Sequence, residues 1–81
     1  MTLIELLNKE IELINKRYNI NTCYIKAGVE LVKSTNFRVD SHEYVELWNN
    51  FNALYNERER IDRDIISTHN QIDVLINDML N

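Results

Sequence analysis

The sequence predicts an all-α fold: a long antiparallel helical hairpin, coiled-coil-like in its periodicity, that forms a multi-helix bundle by homo-oligomerisation. Three observations carry this expectation. The 81 residues include no proline and one glycine, and no Asn-Gly or Asp-Gly pair, so the usual turn chemistry of sheets is missing. Apolar residues recur at alternating three- and four-residue intervals over two long stretches, as on a helix face. On both stretches the apolar arc is wider than a two-stranded seam requires.

The first helix is expected over about residues 2–34. Thr2-Leu3-Ile4-Glu5 reads as a capping box, in which the threonine oxygen and the glutamate each satisfy an orphan backbone N–H. Ile4, Leu7, Ile11, Ile14 and Tyr18 then keep a strict helical spacing, and the same frame continues through Asn21, Ile25, Gly28 and Val32. Glu5–Lys9 and Glu12–Lys16 are i,i+4 pairs in the favourable order, each stabilising by about 0.2–0.5 kcal/mol. Asn19-Ile20-Asn21-Thr22 is a run of poorer helix formers, so any kink is expected at 19–22.

Residues 35–40 form the expected loop of a single 1–81 domain, and a second helix follows over about 41–80. Asp40-Ser41-His42-Glu43 offers another capping box, with Asp40, Glu43 and Glu46 at the positive end of the helix dipole. The heptad frame runs Tyr44, Leu47, Phe51, Leu54, Arg58, Ile61, Ile65, Thr68, Ile72, Leu75, Met79, broken only by Arg58 and Thr68. A pattern sustained this long is of the coiled-coil kind. Trp48, Tyr55 and Ile76, each following a d position, widen the stripe to that of a bundle helix.

These frames give an expected intrachain core of Ile4, Leu7, Ile11, Ile14 and Ile25 against Leu47, Trp48, Phe51, Leu54, Ile61, Ile65 and Ile72. A turn near residues 37–38 sets residue n opposite roughly residue 75 − n. Gly28 would then face Leu47 and Trp48, Tyr18 would face Arg58, and the second helix would outlast the first by nearly two turns. A second line on the first helix, Leu3, Leu6, Glu10, Leu13, Arg17, Ile20, Tyr24, Ala27, Leu31, is offset by one residue, or about 100°. One partner helix cannot cover both lines. Leu3, Leu6, Leu13 and Ile20, with Leu75, Ile76, Met79 and Leu80 on the overhang, are therefore the expected self-association interface. A closed dimer making a four-helix bundle is the expected assembly.

Composition excludes several function classes. A net charge of −4, with nine Lys and Arg spread along the chain, argues against a nucleic-acid partner. No apolar run is long enough for a membrane partner, and Glu5 and Glu10 interrupt the first apolar stretch, against a secretory signal. A cytoplasmic or host-cytoplasmic location is expected, and the lone Cys23 reads as a small buried apolar residue in a reducing compartment. Abundant asparagine without proline suggests an AT-rich genome, such as that of a phage or a low-GC bacterium.

His42 and His69 fall near opposite ends of the expected hairpin and no Glu-x-x-His motif occurs, so neither metal nor other cofactor is expected. Glu57 to Asp64 reads as a solvated face of i,i+4 pairs: Arg58–Asp62, Glu59–Arg63 and Arg60–Asp64. With no Gly-rich loop, nucleophile elbow or carboxylate dyad, no catalytic residue is assigned. The leading expectation is a non-catalytic, self-associating interaction module that binds or modulates another macromolecule, in the manner of a phage or mobile-element accessory protein. Its partners would be a second copy and an unidentified protein. One alternative is an oligomeric binder of a nucleotide-like anion through Arg17, Tyr18, Tyr55 and Arg58, which come level in mid-hairpin. A scaffold or assembly component is another.

Overall fold

Helix α1 (Leu3–Lys33) and helix α2 (His42–Leu80) pack side by side and antiparallel. The structure, a computed structural model, describes residues 1–34 and 41–81. The expected loop at 35–40, Asp40 included, lies outside the described residues.

Each helix starts on a hydroxyl cap. The Thr2 hydroxyl accepts the Glu5 backbone N–H at 3.2 Å and donates to the Glu5 carboxylate at 3.1 Å. The cap of α2 is Ser41, one residue beyond the expected Asp40, and its hydroxyl accepts the Tyr44 N–H at 3.2 Å. At the end of α1 the Ser34 hydroxyl donates to the Leu31 carbonyl at 2.6 Å, and Lys33 stands at the negative pole of the dipole. α1 is unbroken through 19–22, where the Thr22 hydroxyl donates to the Tyr18 carbonyl at 3.0 Å. Bonding back to the preceding turn lets a threonine sit inside a helix without seeking another backbone partner.

Cross-helix contacts fix the register. Arg17 meets Asp62, Glu10 meets His69, Tyr24 meets Tyr55 and Gly28 meets Phe51, and in each pair the residue numbers sum to 79. This is about one helical turn from the expected register, with two consequences. Gly28 makes room for Phe51 instead of Leu47 and Trp48: a Cβ there would lie 3.4 Å from the Phe51 ring. The overhang of α2 beyond Leu3 shrinks to about one turn, and Leu75 is half-buried beside Leu6 instead of standing free. Ile76, Met79 and Leu80 remain exposed.

The two apolar lines of α1 exchange their expected roles. Leu6 and Leu13 are buried and Leu3 and Ile20 half-buried on the side facing α2, so these residues make the hairpin core and not a free surface. Ile4, Leu7, Ile11, Ile14 and Ile25, expected inside, are exposed. From α2, Ile61 and Ile72 are buried and Leu47, Phe51, Leu54 and Ile65 half-buried, whereas Trp48 is exposed and only borders the core. Polar matching accounts for the choice. The inward line carries Glu10 and Arg17, which meet His69 and Asp62, and Tyr24, which stacks on Phe51 with ring centroids 4.8 Å apart. It also gives Arg58, the charged residue of the α2 heptad frame, an aromatic face: its guanidinium lies 5.2 Å from the Tyr24 centroid. The line through Ile4 has no charge to offer these partners.

The result is a rod of 61 × 16 × 15 Å with a radius of gyration of 18.2 Å; a compact domain of this length would have about 12 Å. Its core is one seam, and each buried aliphatic side chain is a large share of what holds it. Leu6→Ala and Ile61→Ala are each expected to lower stability by about 2–4 kcal/mol in urea unfolding followed by ellipticity. Losses below about 1 kcal/mol at both positions would mean that this seam is not the core.

Candidate functional site

The site candidate is the face the hairpin leaves open. Along α1, Ile4, Leu7, Ile11, Ile14 and Tyr18 keep the three-four spacing of a coiled-coil seam and Ile25 and Val32 continue it at sevens; all seven are exposed, Ile4 and Tyr18 by over 70%, whereas Asn21 and Gly28 of the same frame are half-buried. The stripe runs about 42 Å at 1.5 Å per residue. In an isolated hairpin it is covered by nothing among the described residues.

α2 continues this face. Residues three or four apart are surface neighbours on a helix, so Leu7 and Ile14 border Glu10, while the exposed Ile66 borders both Asp62 and His69. The cross-helix pairs Arg17–Asp62 and Glu10–His69 therefore lie along the edge where the stripe of α1 meets exposed apolar residues of α2. His69 Nδ1 is 3.2 Å from Glu10 and its Nε2 is 3.7 Å from Asp73. Arg17 and Asp62 keep about 40% of their side-chain surface in water, so their attraction is screened.

The four residues expected to grip an anion do not converge. Asp62 neutralises Arg17, Arg58 covers the Tyr24 ring, and Tyr18 projects from the outer stripe. Tyr55 instead joins an aromatic group, 6.1 Å from Tyr24, while Tyr24 stacks on Phe51 and Phe51 lies 6.0 Å from Trp48. The Arg58 Nε is buried with no hydrogen-bond partner among the described residues. The expected pairs of the charged run are also rearranged: Asp62 turns to α1, and Arg60 pairs with Glu57 one turn back. Sequence reading passed over Tyr24, although its place between Arg17 and Ala27 on the second line was the available signal.

Cys23 is exposed, contrary to the expectation of a small buried residue, because the line through residues 9, 16, 23 and 30 points away from α2. His42 makes an exposed i,i+4 contact with Glu46 at 3.0 Å. Among the described residues no group of three or more His, Cys, Asp and Glu side chains could hold a metal ion, and no helix is long and apolar enough to cross a membrane. An open groove of about 660 Å³ lies where Met1 and Leu6 meet Ile66, Gln71, Val74 and Leu75. It sits at the end of the rod and is mainly apolar.

No protein-family model, curated protein or solved structure matches the chain. For the pair at the edge of the face, a double-mutant cycle of Arg17→Met and Asp62→Asn in a monomeric background is expected to give a coupling of about 0.2–1 kcal/mol that shrinks as salt is raised. A coupling above about 2 kcal/mol, insensitive to salt, would contradict the solvated placement of the pair.

Proposed function

We propose that the chain is a non-catalytic helical module for protein–protein interaction, and that its first partner is a second copy of itself. The observation that carries this is the exposed stripe on α1, a seam with coiled-coil spacing that α2 cannot reach. Scattered exposed apolar residues need no explanation, but a contiguous band of them marks an interaction surface.

Surface area supports the same reading. The chain exposes 6240 Å², whereas a folded monomer of 9.7 kDa exposes about 5,100 Å². The surplus of about 1,100 Å² compares with about 800 Å² buried per partner in a standard interface. The alternative of an anionic ligand loses support, since Arg17 and Arg58 are engaged within the hairpin and Tyr18 stands apart from both. A scaffold role would use the same stripe in an open-ended assembly.

Size-exclusion chromatography with light scattering separates these cases. The expected mass is twice the 9.7 kDa of one chain, falling to a single chain in Ile11→Glu/Ile25→Glu, which puts two carboxylates into the stripe. A wild-type monomer at every concentration would defeat the proposal. A mass that climbs without a plateau would point to open-ended assembly.

A further inference from the structure

We infer that the interaction surface spans both helices and that α1 of each copy lies along α2 of the other, closing a four-helix bundle. This rests on the self-association reading and adds to it the share of α2 and the pairing of helices. The cross-helix contacts show which sides of the two helices form one face. Arg17–Asp62, Glu10–His69 and Tyr24–Tyr55 all join α1 to the line of α2 that runs Trp48, Tyr55, Asp62, His69, Ile76 at seven-residue intervals. On α1 that side begins with Leu7, Ile14, Asn21 and Gly28, the last of which abuts the Phe51 ring.

The α1 stripe and the exposed Val45, Trp48, Tyr55, Ile66, Ile76 and Leu80 of α2 therefore lie on one side of the hairpin. The other side of the seam is largely charged, bordered by Lys9, Lys16 and Glu30 on α1 and by Glu57 and Asp64 on α2. A pair of helices with one apolar side buries it against another pair, as in a four-helix bundle. The surplus surface of about 1,100 Å² is enough for such a contact, which takes about 800 Å² from each partner.

Polar residues on this side select which helix meets which. Tyr18 and Asn21 interrupt the stripe midway along α1, and Glu59 and Asp62 stand midway along α2 at nearly the same level. A two-fold axis along the rod keeps every residue of the second copy at its own level and sets α1 antiparallel to that copy's α2. Stripe residues then fall opposite residues whose numbers complete a sum of about 80, within one residue of the hairpin's own register. Ile4 meets the second copy's Ile76, Ile14 its Ile66, Ile25 its Tyr55 and Val32 its Trp48. Between them Tyr18 meets its Asp62 and Asn21 its Glu59, so a hydroxyl and an amide face two carboxylates as donors. His69 and Asp73, which fall opposite Ile11 and Leu7, keep their contacts with Glu10 and with each other. A two-fold axis across the rod would instead lay α1 on α1 and α2 on α2. Full overlap would then stack Glu59 and Asp62 of one copy on those of the other, a like-charge arrangement that interfaces avoid.

Disulfide trapping distinguishes the pairings. In a Cys23→Ser background, Ile14→Cys, Ile66→Cys and Tyr18→Cys are made as separate full-length variants and oxidised mildly. Each is treated alone, and the first two also as an equimolar mixture. The mixture is expected to yield a covalent dimer of twice the chain mass, and no variant alone should do so above background. Like helices lie on the diagonal of the bundle, beyond the roughly 7 Å between Cα atoms that a disulfide can bridge. A covalent dimer of Tyr18→Cys alone would overturn the proposal in favour of α1 on α1. No covalent dimer anywhere, with light scattering still reporting a dimer of each variant, would show that another surface makes the interface. A monomeric wild type would instead defeat the self-association reading beneath it. Trp48, the one tryptophan of the chain and 44% exposed in the hairpin, gives a second readout without substitution. As the wild type dimerises, Trp48 emission should shift to the blue and its quenching by acrylamide should fall several-fold. Unchanged emission and quenching while the mass doubles would contradict the share of α2 in the contact.

Discussion

A helix can turn only one stripe toward one neighbour, and α1 carries two. The stripe facing a single partner spans a little over 100° of the circumference, and a second stripe about 100° away needs another neighbour. Everything distinctive about this chain follows from that constraint. α2 covers the line through Leu6, Leu13 and Ala27, and the line through Ile4, Ile11 and Ile25 is left in water. The hairpin therefore has one seam where a bundle has several. Leu6, Leu13, Ala27, Ile61 and Ile72 are its buried apolar residues, a small core for a chain that must order more than seventy residues.

Energetic scale makes the open stripe more than a curiosity of surface composition. Moving an aliphatic side chain fully from water into a packed interior contributes about 1.5–3 kcal/mol. Six aliphatic residues of the stripe, Ile4, Leu7, Ile11, Ile14, Ile25 and Val32, are exposed by between 42% and 72%. Two copies buried against each other, even partially, would offset an association cost of about 4–15 kcal/mol. The solvated ion pairs at the rim add little by comparison, because water screens them. Apolar burial would thus supply most of the affinity.

Much of the fold was legible because its signals are local. The absence of proline, the Thr2 cap and the long heptad frame of α2 lead to two helices, as observed, although the second starts on Ser41 and not on the expected Asp40. What was not legible is which of two equally apolar lines on α1 turns inward, since periodicity alone cannot rank them. The deciding information is non-local: Glu10 and Arg17 look like interruptions until His69 and Asp62 stand opposite them, and Arg58 looks misplaced until Tyr24 lies beneath it. Register failed for a related reason. It was counted from an assumed turn position, whereas contacts of Tyr24, Gly28 and Phe51 set it one turn away. The expected anion grip fell with it, because Arg17 comes level with Arg58 only where paired residue numbers sum to 75, and in the observed register it meets Asp62 instead.

If the open stripe is covered by another copy, folding and association are one equilibrium, and stability must depend on protein concentration. The direct measurement is the thermal unfolding midpoint, followed by helical ellipticity across a thousand-fold range of protein concentration. A midpoint that rises steadily with concentration is the predicted result. A midpoint that does not move across the whole range, with a cooperative transition for a single chain, would mean that the hairpin stands alone with its second stripe in water.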